Sequence, residues 1–512
     1  MTSQPFSIAS PLDGAKLDPV AATPALDIGA IVAAARAAQP AWAALDPSVR
    51  IEAIASVKDR ILDRAESVAK LLHEELGKPE TESLLAEVLP SGDVVDFWCK
   101  SITELLAPTE VDLDALAYPG KTGTISREAR GVVAVIMPWN FPVALPLRTL
   151  VPALLAGNAV VFKPSEVSPR AGKLVVDLFE GLLPKGVLGL VQGGGEAGAA
   201  LCEANVDLVV FTGSVSAGRK VAHTCAERLV PCSLELGGKD AAIVLADANL
   251  ERAAQGIVWG AMSNAGQNCA AIERVYVVKS IAEKFSARVA DITKALRFGD
   301  DVGPLATEAQ RAIVASHVDA AKTSSGTKVL AGGNKRDEGW GFEPTVMRVE
   351  SDDTPLMRDE TFGPVLPIRV VDDDDEAVER ANDSKYGLTA SVWTKNIERG
   401  RAIAARLRAG VVTINNHAFT GALPQAPWSG YGETGYGITN SPLALDALTR
   451  PRFLLVDTSR GARELWWYPY TTALRTIALS FAKLRSKTTP ILGKLSAVFS
   501  LVSAFIARIR GG

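Results

Sequence analysis

The feature that most restricts the fold is a series of short, unbroken apolar runs that begins after Gly131. "VVAVIM" (132–137), "AVVF" (159–162), "LGLVQ" (188–192) and "LVVF" (208–211) lack the strict polar alternation of a strand with one wet face. Such runs belong to strands covered by helices on both faces. Helical patterns lie between them, at Arg170–Leu183 and Ser216–Leu229. Strands joined through helices make right-handed crossovers, so the expected class is α/β with a doubly wound parallel sheet. A second set follows: "AAIVL" (241–245), a helix Leu250–Ser263, "VYVV" (275–278), a helix Ile281–Leu296, "IRVV" (368–371) and "GVVTIN" (410–415). It predicts a second α/β unit. Upstream, residues 29–115 read as helical, with Gly77 as a stop.

At 512 residues the chain is too long for one core. Its net charge of -4 argues against a nucleic-acid partner, because no positive field exists to gather phosphates. The five cysteines are odd in number and irregularly spaced, which argues against a disulfide framework and for a reducing, cytoplasmic setting. The four histidines are far apart, and no Cys/His spacing suggests a metal site. The N-terminus has no basic start followed by an apolar core, so a secretory signal is not expected. The acidic run "DDDDE" (372–376) reads as a solvated loop and helix start.

Three pieces carry chemistry. "MPWNFP" (137–142) follows a buried strand, "LELGGKD" (234–240) follows "VPCS", and "NAGQNC" (264–269) follows a helix. Ligands in doubly wound sheets collect at the carboxyl ends of strands, where Asn140 and Glu235 would project. Cys269 joins them if the second unit packs across that crevice. Taken alone, this cysteine reads as a small buried thiol. With an amide and a carboxylate it suits covalent chemistry on a carbonyl. The thiolate adds to the carbon, while the Asn140 amide and the Cys269 N–H hold the oxyanion. Hydride passes to a nicotinamide, and Glu235 activates the water that hydrolyses the thioester.

"PWNFP", "KPSE", "FTGS", "LELGGK", "NAGQNC" and "ETFGPV" stand in that order along the chain. With them, the sequence from about residue 29 to about residue 457 resembles the aldehyde dehydrogenase superfamily. The resemblance implies nucleophile Cys269, general base Glu235 and oxyanion donor Asn140. It implies oxidation of an aldehyde to a carboxylic acid with NAD, NADP being the alternative, and no metal. It places Trp139, Lys163, Glu166, Gly193, Phe211, Gly213, Ser214, Glu360 and Phe362 along the cofactor. "FTGSVSAG" (211–218) closes a strand and opens a helix, so its N–H groups and the helix dipole would meet a pyrophosphate. Lys163 and Glu166 would meet the adenosine ribose, where a carboxylate repels a 2′-phosphate and favours NAD. Glu360 and Phe362 would hold the nicotinamide ribose and ring.

The resemblance further implies a homodimer or dimer of dimers and this organisation: a helical part (1–117), a bridging hairpin (118–130), an NAD-binding core (131–235), a catalytic domain (236–435) and a bridging strand region (436–458); beyond the resemblance follows a tail (459–512). Departures from the family pattern are Met262, where phenylalanine is usual, and Trp428, Gly432 and Thr434 within "PWSGYGETGYG" (427–437). Trp428 reads as packing or as a substrate-funnel residue, and His417 as a hydrogen-bonded structural histidine. An apolar aldehyde, fatty or aromatic, is expected, since no arginine can be assigned from sequence to a substrate carboxylate. Two other readings stand beside this one. A CoA-acylating enzyme is opposed by Glu235, because an activated water would compete with the thiol. A silent, membrane-held scaffold is opposed by the intact catalytic positions.

The tail is a separate electrostatic object. From Thr471 to Gly512 there are seven Lys and Arg and no Asp or Glu. Two amphipathic helices are expected, before and after Pro490, and the uncharged run Leu495–Ala507 is short of the roughly 20 residues needed to span a bilayer. The tail therefore reads either as a peripheral membrane contact through residues 471–512, each charge adding about 1 kcal/mol near an anionic surface, or as a segment packed on the enzyme, a neighbouring subunit or the substrate funnel.

Overall fold

The computed structural model describes residues 6–115, 117–417 and 419–509. The chain divides into two compact units, Met1–Ala107 with Ser126–Arg452, and Pro108–Ile125 with Phe453–Gly512.

The first unit holds two large sheets. A five-stranded, all-parallel sheet has the order Leu188–Leu190, Ala159–Lys163, Val132–Ile136, Leu208–Thr212, Cys232–Glu235. The chain starts in the middle, winds one way, then returns to wind the other. The reversal between Val132–Ile136 and Leu208–Thr212 is a topological switch point. Val133 and Val135 pack into one core with Trp98 and Leu150, while Val132, Ala134 and Ile136 face a second core with Ile28 and Leu201. That double cover is why the strand shows no polar alternation. Each valine or isoleucine so covered contributes about 1.5–3 kcal/mol on leaving water.

The seven-stranded sheet has the order Lys328–Ala331, Thr345–Val349, Val365–Val371, Ile272–Val278, Asp240–Val244, Thr389–Trp393, Val411–Ile414, parallel except for its first pair. The doubly wound parallel sheet and the second α/β unit are therefore present. Upstream lie the helices Ala25–Ala43, Pro47–Leu62 and Ala65–Leu76. The last ends at Gly77, whose φ of 69° closes the helix in a left-handed cap. Asp373 caps the helix Asp374–Asn382, accepting from Asp375 N and Glu376 N, so the acidic run opens a helix.

Several expectations need correction. The helix expected to run to Leu183 spans only Pro169–Asp177, because Gly181 (φ 73°) and Pro184 break the pattern. Helix does not continue to residue 115: it stops at Leu106 before Pro108, and Thr109–Val111 is a strand. The stretch 118–130 is not a hairpin in itself. Lys121–Ala129 is one strand, antiparallel to Thr109–Val111, in a three-stranded sheet with Thr449–Asp457 at its other side. The strands Phe6–Ala9, Lys16–Val20 and Cys232–Glu235 are too short for periodicity to reveal. The second unit ends in helices Thr472–Arg485 and Ile491–Ile509. Residues 510–512 of the expected tail lie outside the described residues.

Candidate active site

The carboxyl ends of the parallel strands supply the site. Val132–Ile136 leads into Trp139 and Asn140, Ala159–Lys163 ends on Lys163, Leu208–Thr212 leads to Gly213 and Ser214, and Cys232–Glu235 ends on Glu235.

The cysteine loop follows the helix Leu250–Met262. Asn264, Ala265 and Gly266 take φ values of 53°, 53° and 69°, reversing the chain within one turn. A side chain on Gly266 would meet the Gly363 carbonyl oxygen at 2.1 Å, so glycine is required there. Amide side chains stitch this strained turn. Asn264 Nδ2 donates to the carbonyls of Asn140 and Gln267, each at 2.9 Å. Gln267 Nε2 donates to Asn264 O at 2.9 Å, and Gln267 Oε1 accepts from Ala306 N at 2.8 Å. Asn140 Nδ2 donates to Gln267 O at 3.2 Å, and the Glu82 carboxylate accepts from Asn264 N. One residue past the cysteine, Ala270 O accepts from His417 Nε2 at 2.7 Å. Burial pushes His417 down to about 4, so it is a neutral strut.

Cys269 and Glu235 line one cavity of about 520 Å³ whose walls include Leu145, Val258, Trp259, Phe419 and Trp428. Met262, the unusual residue before the loop, also lines it. Burial pushes the Glu235 carboxyl up to about 7, opposed by Thr439 and Arg148. Glu235 Oε1 is buried without a hydrogen-bond partner among the described residues. Burial likewise raises the Cys269 thiol, helped by Asp240, Glu235 and Glu360 and opposed by Arg148. Asn140 is buried, with its Oδ1 unpartnered among the described residues, and reaches the cysteine loop through Gln267.

Four residues of the site escaped the sequence reading. Arg148, on the helix Ala144–Leu155, enters the cavity, and its Nε is buried without a partner among the described residues. Glu82 lines the same cavity, raised by burial to about 7. Lys78 and Glu87 form a buried ion pair at 2.6 Å. Lys78 Nζ donates to Asn140 O at 2.9 Å, while Glu87 Oε2 accepts from Val143 N at 3.1 Å and Ala144 N at 2.8 Å. An anion there also complements the helix dipole. Glu87 sits in a π-helical turn, Leu84–Val88, a local irregularity common at functional sites. Charged residues inside an apolar helical pattern were the signal available.

The residues expected along the cofactor lie on five segments, at Trp139, Lys163–Glu166, Gly193, Phe211–Ser214 and Glu360–Phe362. Gly193 has φ 149°, and a side chain there would meet Ala197 Cβ at 2.8 Å, while Gly194 and Gly195 face open space. Ser214 caps the helix Val215–Glu227, accepting from Ala217 N at 3.3 Å. A side chain on Gly213 would strike the Phe211 ring at 2.6 Å. Lys163 is buried rather than a solvated surface lysine; its Nζ donates to Pro164 O at 2.8 Å and lies 3.8 Å from the exposed Glu166 carboxylate. Trp139 and Phe362 meet edge to face, centroids 5.5 Å apart. Glu273 holds the 360–362 loop by accepting from Thr361 N and Phe362 N, each at 2.8 Å, and Gly238 N donates to Glu360 Oε1 at 3.0 Å. Open glycines, a capped helix N-terminus and a buried lysine at the ends of parallel strands fit a dinucleotide.

The unusual C-terminal residues also have places. Thr434 Oγ1 donates to Gly237 O at 2.9 Å and accepts from Gly387 N at 3.0 Å, holding the segment after Glu235. Trp428 is a buried cavity wall, and Gly432 has φ 61°.

A profile of the aldehyde dehydrogenase family matches residues 1–454. A Methylomonas protein described as 4,4'-diapolycopene aldehyde oxidase is 36% identical over 475 residues, covering 91% of this chain and 89% of its own. A Mycolicibacterium smegmatis protein described as a succinate-semialdehyde dehydrogenase using NADP+ is 38% identical, covering 91% and 92%. The NAD+ complex of aldehyde dehydrogenase from Bacillus cereus superposes with a TM-score of 0.85 at 32% identity, covering 89% of this chain and 94% of that one.

Proposed function

The chain belongs to the aldehyde dehydrogenase family, and from that premise we propose how its own residues carry the reaction and what aldehyde they take. The enzyme oxidises aldehydes with NAD or NADP. The supporting observation is that Cys269 shares one cavity with a buried carboxylate, Glu235, whose Oε1 has no partner among the described residues.

Cys269 sulfur adds to the aldehyde carbon, and its thiol proton leaves by way of Glu235. The Asn140 amide and the Cys269 backbone N–H hold the resulting oxyanion. A bound nicotinamide would supply the hydride acceptor. Trp139, Phe362 and Glu360 would hold it, while Gly193, Gly213, Ser214 and Lys163 would hold the rest of the dinucleotide. Collapse of the adduct leaves an acyl group on Cys269. Glu235 takes a proton from water, which attacks the thioester and frees the acid and the thiol. Glu166 beside Lys163 favours NAD, because its charge repels a 2′-phosphate.

The substrate is an aldehyde with an apolar body, fatty or aromatic, since bulky apolar side chains such as Phe141, Leu145, Val258, Trp259, Phe419 and Trp428 line the cavity. Arg148 supports a second reading, an aldehyde carrying a carboxylate, because its buried Nε lacks a partner among the described residues. A panel of alkyl, aryl and carboxylated aldehydes, with NAD and NADP side by side, tests both. Cys269→Ala is expected to abolish NADH formation throughout. Arg148→Leu is expected to raise KM for carboxylated aldehydes at least about tenfold if they are the substrates, and to leave alkyl aldehydes within a few-fold otherwise. Wild-type protein forming neither NADH nor NADPH across the panel, or forming acid only through CoA, would sink the reading.

The enzyme works as a homo-oligomer, dimer or dimer of dimers, joined through the edge strand Thr449–Asp457, where Phe453, Leu454, Leu455 and Val456 are all exposed. Its five free thiols suit a cytoplasmic setting.

A further inference from the structure

We propose that the helical pair Thr472–Arg485 and Ile491–Ile509 is a docking surface for the anionic headgroup region of a lipid bilayer, lying in the interface rather than crossing it. The two helices pack on each other through small or short faces: Ala497 and Ala504 of the second helix and Ile477 and Ser480 of the first are buried. Leu492, Leu495, Phe499, Val502 and Ile506 recur at steps of three and four, and all are exposed, Leu492 at 76% and Phe499 at 78%. That is an apolar stripe open to solvent along the helix, and such exposed apolar surface marks an interaction site. Trp467, Tyr468 and Tyr470, just before the first helix, are exposed as well, and such side chains favour the membrane–water boundary.

Charge identifies the occupant. Arg475, Lys483, Arg485, Lys487 and Lys494 lie on or between the helices, and no acidic residue does. Among the described residues, the ion pair these side chains form is a long one, Arg485 to Asp114 at 4.0 Å. A basic, apolar-striped helical pair complements a surface that offers phosphates above hydrocarbon, and a protein partner would need a matching acidic, apolar groove.

The second helix is long and apolar enough to cross a membrane by length and composition, over Ile491–Arg508. Its geometry favours the interface. Arg508 at the far end donates to the carbonyls of Pro469 at 2.9 Å and Trp467 at 2.7 Å, in the segment that precedes the first helix. The end of the pair is thereby tied to its beginning, and a crossing would tear these bonds apart. The first helix has only 14 residues, too few to accompany the second across a core of about 30 Å.

The test is flotation of the full chain with vesicles of phosphatidylcholine alone and of phosphatidylcholine with about one-third phosphatidylglycerol. Wild-type protein is expected to float with the anionic vesicles and to be released by high salt. L495S/F499S/I506S, changes confined to exposed positions, is expected to cut the floated fraction at least about tenfold while turnover of a water-soluble aldehyde is unchanged. K483Q/R485Q/K487Q is expected to lose the preference for anionic vesicles. Wild-type protein that floats with neither vesicle overturns the proposal, as does a triple-serine variant that floats equally well. If light scattering shows that this variant instead drops to a smaller oligomer, with no wild-type flotation, a second copy is the occupant and the proposal falls. Flotation is read without turnover, so failure of the enzymatic reading leaves this test intact.

Discussion

Glu235 and Cys269 show how one environment sets two roles. Burial opposes ionisation of both: it raises the Cys269 thiol above its ordinary value and brings the Glu235 carboxyl into the neutral range. Glu235, raised to about 7, is mostly carboxylic acid below that pH and mostly carboxylate above it. A base must be deprotonated to act, so hydrolysis of the acyl-enzyme is expected to rise with pH through about 7 and then level off. Glu235→Gln removes the titrating group. Its kcat is expected to fall by about two to four orders of magnitude and to lose that inflection, while one equivalent of NADH per site still forms, more slowly than in the wild type but faster than the variant turns over. A burst of NADH followed by a stalled steady state, read by stopped-flow absorbance, checks this. An unchanged pH profile in the variant would place the inflection elsewhere. His417 illustrates the opposite outcome: an ionisable residue close to Cys269 that burial holds neutral, as a strut to Ala270 O.

At the scale of elements, the site depends on how three segments are tied. The helix Ala144–Leu155 carries Arg148, and its first N–H groups end on Glu87 from a different helix-rich segment. Lys78 closes the circuit between Glu87 and the carbonyl of Asn140. Glu87→Ala would leave the Lys78 ammonium buried without its partner and the helix start uncapped. The expected loss is about 3–5 kcal/mol of stability, measured by denaturant unfolding, with Lys78→Met in the same background recovering part of it. The alternating strands and helices were legible because buried strands and amphipathic helices have local periods. The motif residues were legible because a thiol, an amide and a carboxylate beyond strand ends suit one chemistry. Lys78 and Glu87 were not legible, because an ion pair nine residues apart in sequence becomes an anchor only where the Asn140 loop passes over it. The boundary errors share a cause: Pro108, Gly181 and Pro184 are local breakers whose effect periodicity averages away.

At the scale of the molecule, several buried acids titrate together. Glu75, Glu82 and Glu235 are raised to about 7, and Asp240 and Glu360 to about 8, in each case chiefly by burial. Between the ordinary carboxylate range and these values the folded chain holds protons that the unfolded chain has lost. Stability therefore falls as pH rises through that window, the opposite of the usual carboxylate trend. The acids held below their ordinary range, Glu251, Asp301 and Asp457, act at lower pH and in the other direction. The melting temperature is expected to peak near the ordinary carboxylate range and to decline toward pH 8, by differential scanning calorimetry. A curve still rising between pH 6 and 8 would show that these acids ionise freely in the folded state.

By itself the sequence determined the doubly wound class, the six-motif resemblance and the charge of the tail, because each is written in local composition and spacing. Only the tertiary structure decided that an arginine stands in the cavity with Cys269, that Glu82 and His417 brace the loop on either side of it, and that Arg508 ties the tail helices back on themselves. These depend on segments tens to hundreds of residues apart reaching the same place, and packing, which no local period encodes, brings them there.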